Sequence, residues 1–245
     1  MTQVARSGEK AHAFDLHCHS KYSYDSRAEL LDMISAAKAG GLSGFALTDH
    51  DSSEGCDALE ALGLMDPSGS AVDGFLIIPG QEITTSQGHL LALGVKLPRM
   101  KGIEPLEAIR IVHELGGLAI PPHPYDAFRL GIRRKHLDHL PIDGLEVFNA
   151  ASTLRRYNRW ARQYAESRGL PMLAASDAHS PDAIGVSRTS FYLEELTCSE
   201  VLRALRAGRG MLQEKYISAR AALKKTLGNW MRLRHSKKLL KKSTT

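Results

Sequence analysis

Cysteine is scarce in this chain: Cys18, Cys56 and Cys198 are the only three in 245 residues, and none stands in a CxxC pair. A disulfide framework and a thiolate zinc knuckle are thereby excluded. No apolar run approaches the roughly 18 residues needed to span a bilayer. The opening MTQVARSGEKAH has no apolar stretch of the kind a secretory signal needs, so the expected location is cytoplasmic. Internal repeats and long low-complexity tracts are missing. So are a GxSxG elbow, an HEXXH helix and a Gly-rich P-loop, which removes the usual signs of a serine nucleophile, a zincin or a nucleotide-triphosphate cradle. Acid is lacking in one place: residues 219–245 carry nine lysines and arginines and no carboxylate. Removing those nine charges from the net +5 leaves residues 1–218 at −4. The body is mildly acidic and the basicity belongs to the tail.

What is present is ordinary globular material, 43% apolar, in which short apolar strands alternate with helical stretches. AFDLHCHS, GFALTDH, GFLIIPGQEIT, HLLALGVKL, LAIPPHP, GLEVFNA, PMLAASD and SFYLEE read as strands. Between them, RAELLDMISAAKAGG places Leu30, Met33, Ile34 and Ala37 on one helical face, and PLEAIRIVHELGG starts with Pro105 and stops at Gly-Gly. Further helices are expected around 54–63, over 152–168 and from about 198, the last opened by the capping-box pattern of Thr197 and Glu200. The alternation predicts parallel strands with helical crossovers in an α/β barrel or open sheet. Two regions follow: a catalytic domain over 1–218 and a basic, amphipathic tail over 219–245.

The uncommon residues collect at strand ends. His17 and His19 flank Cys18, and because strand side chains alternate, both imidazoles reach the same side. Asp49 and His50, Glu82, His123, Asp177 and His179 also stand where strands end, and in a barrel those ends converge on one mouth. With Asp25 and His89 added and Asp49 set aside, they make nine candidate metal ligands: His17, His19, Asp25, His50, Glu82, His89, His123, Asp177 and His179. Imidazoles crowded with carboxylates are costly to bury unless a cation neutralises them. Nitrogen and carboxylate donors without thiolate suit zinc, manganese or iron, and nine donors suffice for two or three divalent ions. Such a pocket is strongly cationic and suits an anionic substrate such as a phosphate ester.

The ordered set DLHCHS, TDHD, IPGQEIT with GHLLALGV, PPHP and ASDAHS, followed by GVSRTSFYLEEL and ALRAGRG, resembles the PHP (polymerase and histidinol phosphatase) family. The resemblance implies a distorted seven-stranded (βα) barrel with a trinuclear metal centre and metal-dependent phosphoesterase activity on a phosphomonoester, nucleotide or oligonucleotide. It implies one ion on His17, His19, Glu82 and Asp177, a second on Glu82, His89 and His123, and a third on Asp25, His50 and His179. At Asp25 many relatives carry histidine.

Bland alternatives stand beside these roles: His89 as a solvated strand start, Asp25 as a helix cap. Asp49 is read as an acceptor that orients metal-bound imidazoles, and His179 or His89 as the proton donor to the leaving group. Arg188, Asn149 and the Arg133–Lys135 cluster are candidate substrate contacts. His113, His136 and His139 are read as surface or packing residues. Two rival functions remain open, an amidohydrolase-like C–N or ester hydrolase and a non-catalytic metal-stabilised module recruited through its tail. In that tail Leu223, Leu227, Trp230 and Met231 recur at helical spacing among basic residues, a pattern fit for nucleic acid or a membrane surface.

Overall fold

The computed structural model describes residues 8–217; the expected role of the 219–245 tail lies outside them. In chain order the elements are β1 (Lys10–Cys18), α1 (Leu30–Ala39), β2 (Gly44–Leu47), α2 (Glu54–Ala61), β3 (Leu76–Thr85), β4 (Gly88–Leu93), α3 (Pro105–Glu114), β5 (Leu118–Ile120), α4 (Arg134–Leu137), β6 (Leu145–Asn149), α5 (Arg155–Arg168), β7 (Met172–Ala175), β8 (Arg188–Leu193), α6 (Cys198–Arg206) and β9 (Met211–Gln213).

Seven strands form one curled sheet in the order β5-β4-β3-β2-β1-β8-β9, and β6 and β7 pair separately. The expected barrel architecture is there, but not all its strands are parallel. β1, β2 and β3 run parallel and β6 runs parallel to β7, whereas β4 is antiparallel to both its neighbours and β8 is antiparallel to β1. The reason lies in the connections: Thr85 and Gly88 close a tight hairpin between β3 and β4, far too short for the helical crossover a parallel pair requires.

Strand alternation divides the apolar residues between two sides of the wall. Phe14, Leu16, Ala46, Leu76, Ile78 and Leu91 pack inward with Leu173 and Ala175 of β7, so both sheets share one interior core. Phe45, Leu47 and Ile77 face outward and receive Leu30, Met33, Ile34 and Ala37 of α1, the stripe legible in the sequence. Each such buried Leu, Ile, Met or Phe side chain contributes about 1.5–3 kcal/mol. α6 buries Val201, Ala204 and Leu205 in the inner cluster with Leu93 and Leu193, at strand ends remote from the histidines. Its start is half a capping box: the Thr197 hydroxyl accepts from Glu200 N at 3.3 Å, but the Glu200 carboxylate is taken by Arg203 at 2.9 Å.

Candidate metal centre

The mouth of the barrel is sewn together by buried aspartates. Asp15, fully buried on β1, accepts from Ser176 N at 3.0 Å, Gly185 N at 2.7 Å and the Ser176 hydroxyl. This joins β1 to the segment after β7, where His19 N also donates to Ala178 O at 2.8 Å. Asp49 accepts from Ser20 N and Ser20 Oγ, both at 2.6 Å, tying the end of β2 to the residue after His19. Asp51 accepts from Thr84 N at 2.7 Å and ties in β3. These stitches bring His17 and His19, His50, Glu82, and Asp177 and His179 to one place. His89 joins them from the first turn of β4, because an antiparallel strand begins at the rim where β3 ends.

Glu82 stands at the centre. Its Oε2 lies 3.0 Å from His17 Nε2, 3.1 Å from His19 Nε2 and 3.4 Å from His50 Nδ1; its Oε1 lies 2.7 Å from His89 Nδ1 and 3.0 Å from His123 Nε2. Five imidazoles thus converge on one carboxylate that is 1% exposed. Burial acts against its charge, but His50, His89 and His17 hold its carboxyl well below the usual range. Burial, reinforced by neighbouring His179, pushes His19 well down. For His17 burial acts in the same direction, yet Asp177, Glu82 and Glu146 outweigh it and hold the ring well above its ordinary value. Asp25 lies beside His179, with Oδ2 at 2.8 Å from Nε2, and its other oxygen accepts from Ser23 at 3.0 Å. Burial opposes its ionisation, and His179 and His50 keep its carboxyl well below the usual range. It does not cap α1, whose start has no side-chain cap.

The donor atoms fall into four groups, each with its atoms within 4.8 Å of one another: His19, Asp25, His50 and His179; His17, His19 and Glu82; His17, His123 and Asp177; His50, Glu82 and His89. All nine candidate ligands are therefore brought together, though the sets differ from those the resemblance implies. His123 groups with His17 and Asp177 rather than with His89, and His50 belongs to two sets. His123 Nδ1 and His89 Nε2 are buried without a hydrogen-bond partner, and His19 Nε2, His50 Nδ1 and His89 Nδ1 approach the Glu82 carboxylate without good hydrogen-bond geometry. Buried polar atoms are rarely left so, and here several face the same small space. Together with the mixed nitrogen and carboxylate chemistry, these orphaned nitrogens fit divalent cations. Asp177 and His123 also hold positive φ angles of 55° and 33°, strain of a kind that collects at functional sites.

Three expected roles need correction. Asp49 orients no imidazole: both its oxygens go to Ser20, and burial raises its carboxyl to about 6. Asn149 cannot touch substrate, being fully buried beneath the site, where its Nδ2 donates to Glu146 at 2.9 Å and Asp177 at 3.1 Å. Arg188 stays away from the cavity, its guanidinium donating to the carbonyls of Gly185 and Gly40, each at 2.9 Å. His113 has the surface role expected of it, facing Asp143 at 2.7 Å.

Two residues escaped the sequence reading. Glu146 is wholly buried on β6; its Oε1 lies 3.0 Å from His17 Nδ1 and its Oε2 accepts from His123 N at 2.7 Å. By holding the outer nitrogen of His17, Glu146 turns Nε2 inward. A carboxylate within the apolar LEVF was the available signal. Arg129, in the turn after β5, pairs with Asp177 Oδ2 and lines a cavity of about 240 Å³ over the centre. Burial disfavours its charge, but Asp177 and Glu82 retain it. Nothing in its spacing marked it. Glu146→Gln is expected to weaken metal affinity and activity by about 10- to 100-fold, measurable by metal titration of the apo-protein.

Comparison with known proteins gives the family of the chain. Residues 15–104 match the PHP domain family and residues 155–209 the PHP-associated family. An uncharacterized protein of Methanocaldococcus jannaschii is 34% identical over 146 residues, covering 56% of this chain and 81% of that one. The chain belongs to the PHP family. Among solved structures, a two-domain protein from Bacteroides vulgatus containing a predicted PHP-like metal-dependent phosphoesterase superposes with a TM-score of 0.63 at 20% identity, covering 91% of this chain and 71% of that one. A lesion-specific endonuclease from Pyrococcus furiosus superposes with a TM-score of 0.61 at 20% identity, covering 81% of this chain and 56% of that one. At such identities these two likenesses concern the fold.

Proposed function

We propose that this protein is a metal-dependent hydrolase of phosphate esters, and that its substrates are nucleotides or oligonucleotides. The observation that carries the reading is the convergence of five imidazoles on Glu82 with Asp25 and Asp177 alongside, beneath an open cavity. His17, His19, Asp25, His50, Glu82, His89, His123, Asp177 and His179 would hold two or three ions of manganese, zinc or iron. Bound there, divalent cations supply Lewis-acid charge at the phosphoryl oxygens and a lowered pKa for the attacking water.

The chain's own groups do the rest. Glu146 and Ser23 hold the outer nitrogens of His17 and His19, at 3.0 Å and 3.3 Å, so that both rings keep their inward orientation without reorganising. Arg129 places a guanidinium in the cavity wall, held there by Asp177 and by the Ala151 carbonyl at 3.0 Å, so that its positive charge faces a phosphoryl group in the cavity. Of the two expected proton donors, His89 is the better placed: it lines the cavity, whereas both nitrogens of His179 are occupied, by Asp25 at 2.8 Å and by the Asp177 carbonyl at 2.9 Å. At the rim Tyr24 and Phe128 are 55% and 76% exposed. Exposed rings beside a phosphate site offer faces for base stacking, which favours a nucleoside over a small alkyl leaving group. The nucleic-acid substrate of the structurally similar endonuclease Q, crystallised on a duplex with an abasic lesion, supports the same choice. Localisation in the cytoplasm stays part of this proposal; among the described residues no helix is long and apolar enough to cross a membrane.

The test is a parallel assay, with manganese or zinc supplied, of nucleotide and oligonucleotide phosphate esters against amides and lactones. Turnover confined to the phosphate esters is expected. Turnover confined to amides or lactones would establish the amidohydrolase alternative, and none with any substrate the non-catalytic one.

A further inference from the structure

Two buried amides lie connected beneath the metal centre. Asn149, the last residue of β6, is fully buried, and Asn158, on the inner face of α5, is 6% exposed. Asparagine is a poor helix former and is costly to bury without partners. Its place on α5 beside Tyr157, Ala161 and Ala165 therefore calls for a reason other than packing.

Asn158 serves as a substitute strand. Among the described residues β6 pairs with β7 alone, and at its end Ala150 N donates to Ala175 O at 3.0 Å. The N–H and C=O of Asn149 point to the opposite edge, where no strand lies. Asn158 meets both: its Oδ1 accepts from Asn149 N at 3.2 Å and its Nδ2 donates to Asn149 O at 3.0 Å. The end of β6 is thereby fixed against α5.

The side chain of Asn149 can face only one way. Its Oδ1 accepts from Ala151 N at 2.9 Å, a donor that only the oxygen of an amide can meet. Nδ2 is thus turned toward two carboxylates and donates to Glu146 Oε2 at 2.9 Å and to Asp177 Oδ2 at 3.1 Å. A flipped amide would set its oxygen against both anions. One nitrogen therefore joins a carboxylate of β6 to one in the segment after β7.

Each joined carboxylate turns its other oxygen to the histidines. Glu146 Oε1 lies 3.0 Å from His17 Nδ1. Asp177 Oδ2 is engaged by Asn149 and Arg129, while Oδ1 lies 3.3 Å from His179 Nδ1, 3.6 Å from His19 Nε2 and 3.9 Å from His17 Nε2. Asp177 needs such a hold, because its φ of 55° is a conformation that a residue with a side chain keeps only when its surroundings enforce it.

We propose that Asn149 is a positioning residue of the metal centre. By donating to Asp177 Oδ2 and Glu146 Oε2 it keeps Asp177 Oδ1 turned toward the imidazoles and Glu146 against His17, and Asn158 in turn holds Asn149. The inference rests on the metal-dependent reading above and adds the residues that preorganise the centre from below. Neither asparagine touches substrate.

The test measures Mn²⁺ affinity by isothermal titration calorimetry on the chelator-treated full chain, together with the visible absorption of the same proteins loaded with Co²⁺, whose bands report the arrangement of its ligands. Asn149→Ala removes the shared donor. Asn158→Ala leaves that donor in place and removes only its anchor. Thr189→Val is the control, because Thr189 Oγ1 also bonds a strand backbone, at 2.9 Å to both Ala174 N and Ala174 O, with no carboxylate of the centre among these partners. Asn149→Ala is expected to raise the Mn²⁺ Kd about tenfold or more and to change the Co²⁺ bands, and Asn158→Ala to raise the Kd about threefold or more. Thr189→Val should lower Tm and leave the Kd within about twofold, since it removes hydrogen bonds that serve the fold alone. Unchanged affinity and bands in Asn149→Ala, or an equal change in Thr189→Val, would reduce Asn149 to a packing role and overturn the proposal. If Asn149→Ala does not fold, Asn158→Ala decides by the same two readouts. A wild-type chain that takes up no divalent ion refutes the metal reading and the role of Asn149 with it; uptake by wild type with indifferent variants refutes the role alone.

Discussion

Glu82→Gln is expected to reduce kcat/KM on a phosphate ester by about 10³-fold or more while leaving a cooperatively folded chain. The amide keeps the shape of the carboxylate but removes the single negative charge that five imidazole nitrogens approach within 3.4 Å. It also turns one oxygen into a donor. Two of the four donor groups include Glu82, and a third shares His17 with it, so one substitution disables most of the centre. The wall around it does not depend on this charge: β3 is held by its backbone pairing to β2 and β4. Steady-state kinetics and thermal melting of the same preparation check the two halves. Activity within tenfold of wild type would show that Glu82 is not central to the chemistry.

Exhaustive chelation is the second large effect. Without divalent ions turnover should fall to background, and manganese or zinc should restore it. Stability should move as well, because bound ions would satisfy buried imidazole nitrogens that have no good hydrogen bond and would offset the cost of burying these rings and carboxylates together. A ligand at 100 times its Kd adds about 2.7 kcal/mol to the folded state. At about 2–4 °C per kcal/mol for a chain of this size, metal should raise Tm by about 5–10 °C. Scanning calorimetry with and without metal measures it. A Tm indifferent to every divalent ion would mean that the pocket holds none.

How far the sequence foretold this site depended on the kind of signal each residue gave. His17 and His19 were legible because strand alternation turns both rings to one side, and Asp177 and His179 because they end a short apolar strand. The antiparallel course of β4 could have been inferred from the tight Thr85–Gly88 hairpin, since a parallel return needs a dozen or more residues. Roles set by three-dimensional choice were not legible. In TDHD, Asp49 and Asp51 flank His50, and nothing local says that the first turns to Ser20 and the second to Thr84 N. Arg188 follows the last motif closely, yet its reach to Gly40 O depends on where α1 ends. Arg129 reaches Asp177 only because the turn after β5 folds over the mouth. Glu146 is the instructive omission: a charge amid apolar strand residues marks either an error of assignment or a buried partner, and here that partner is His17.

The central claim is that these nine side chains hold metal. Counting ions per chain by mass spectrometry, on protein purified without chelator and dialysed against metal-free buffer, tests it most directly. Two or three equivalents of manganese, zinc or iron in wild type, falling by at least one in Glu82→Gln, is the predicted result. Catalytically active protein with less than about a tenth of an equivalent of any divalent ion, well short of the one ion that the simplest metal-assisted mechanism needs, would contradict the account.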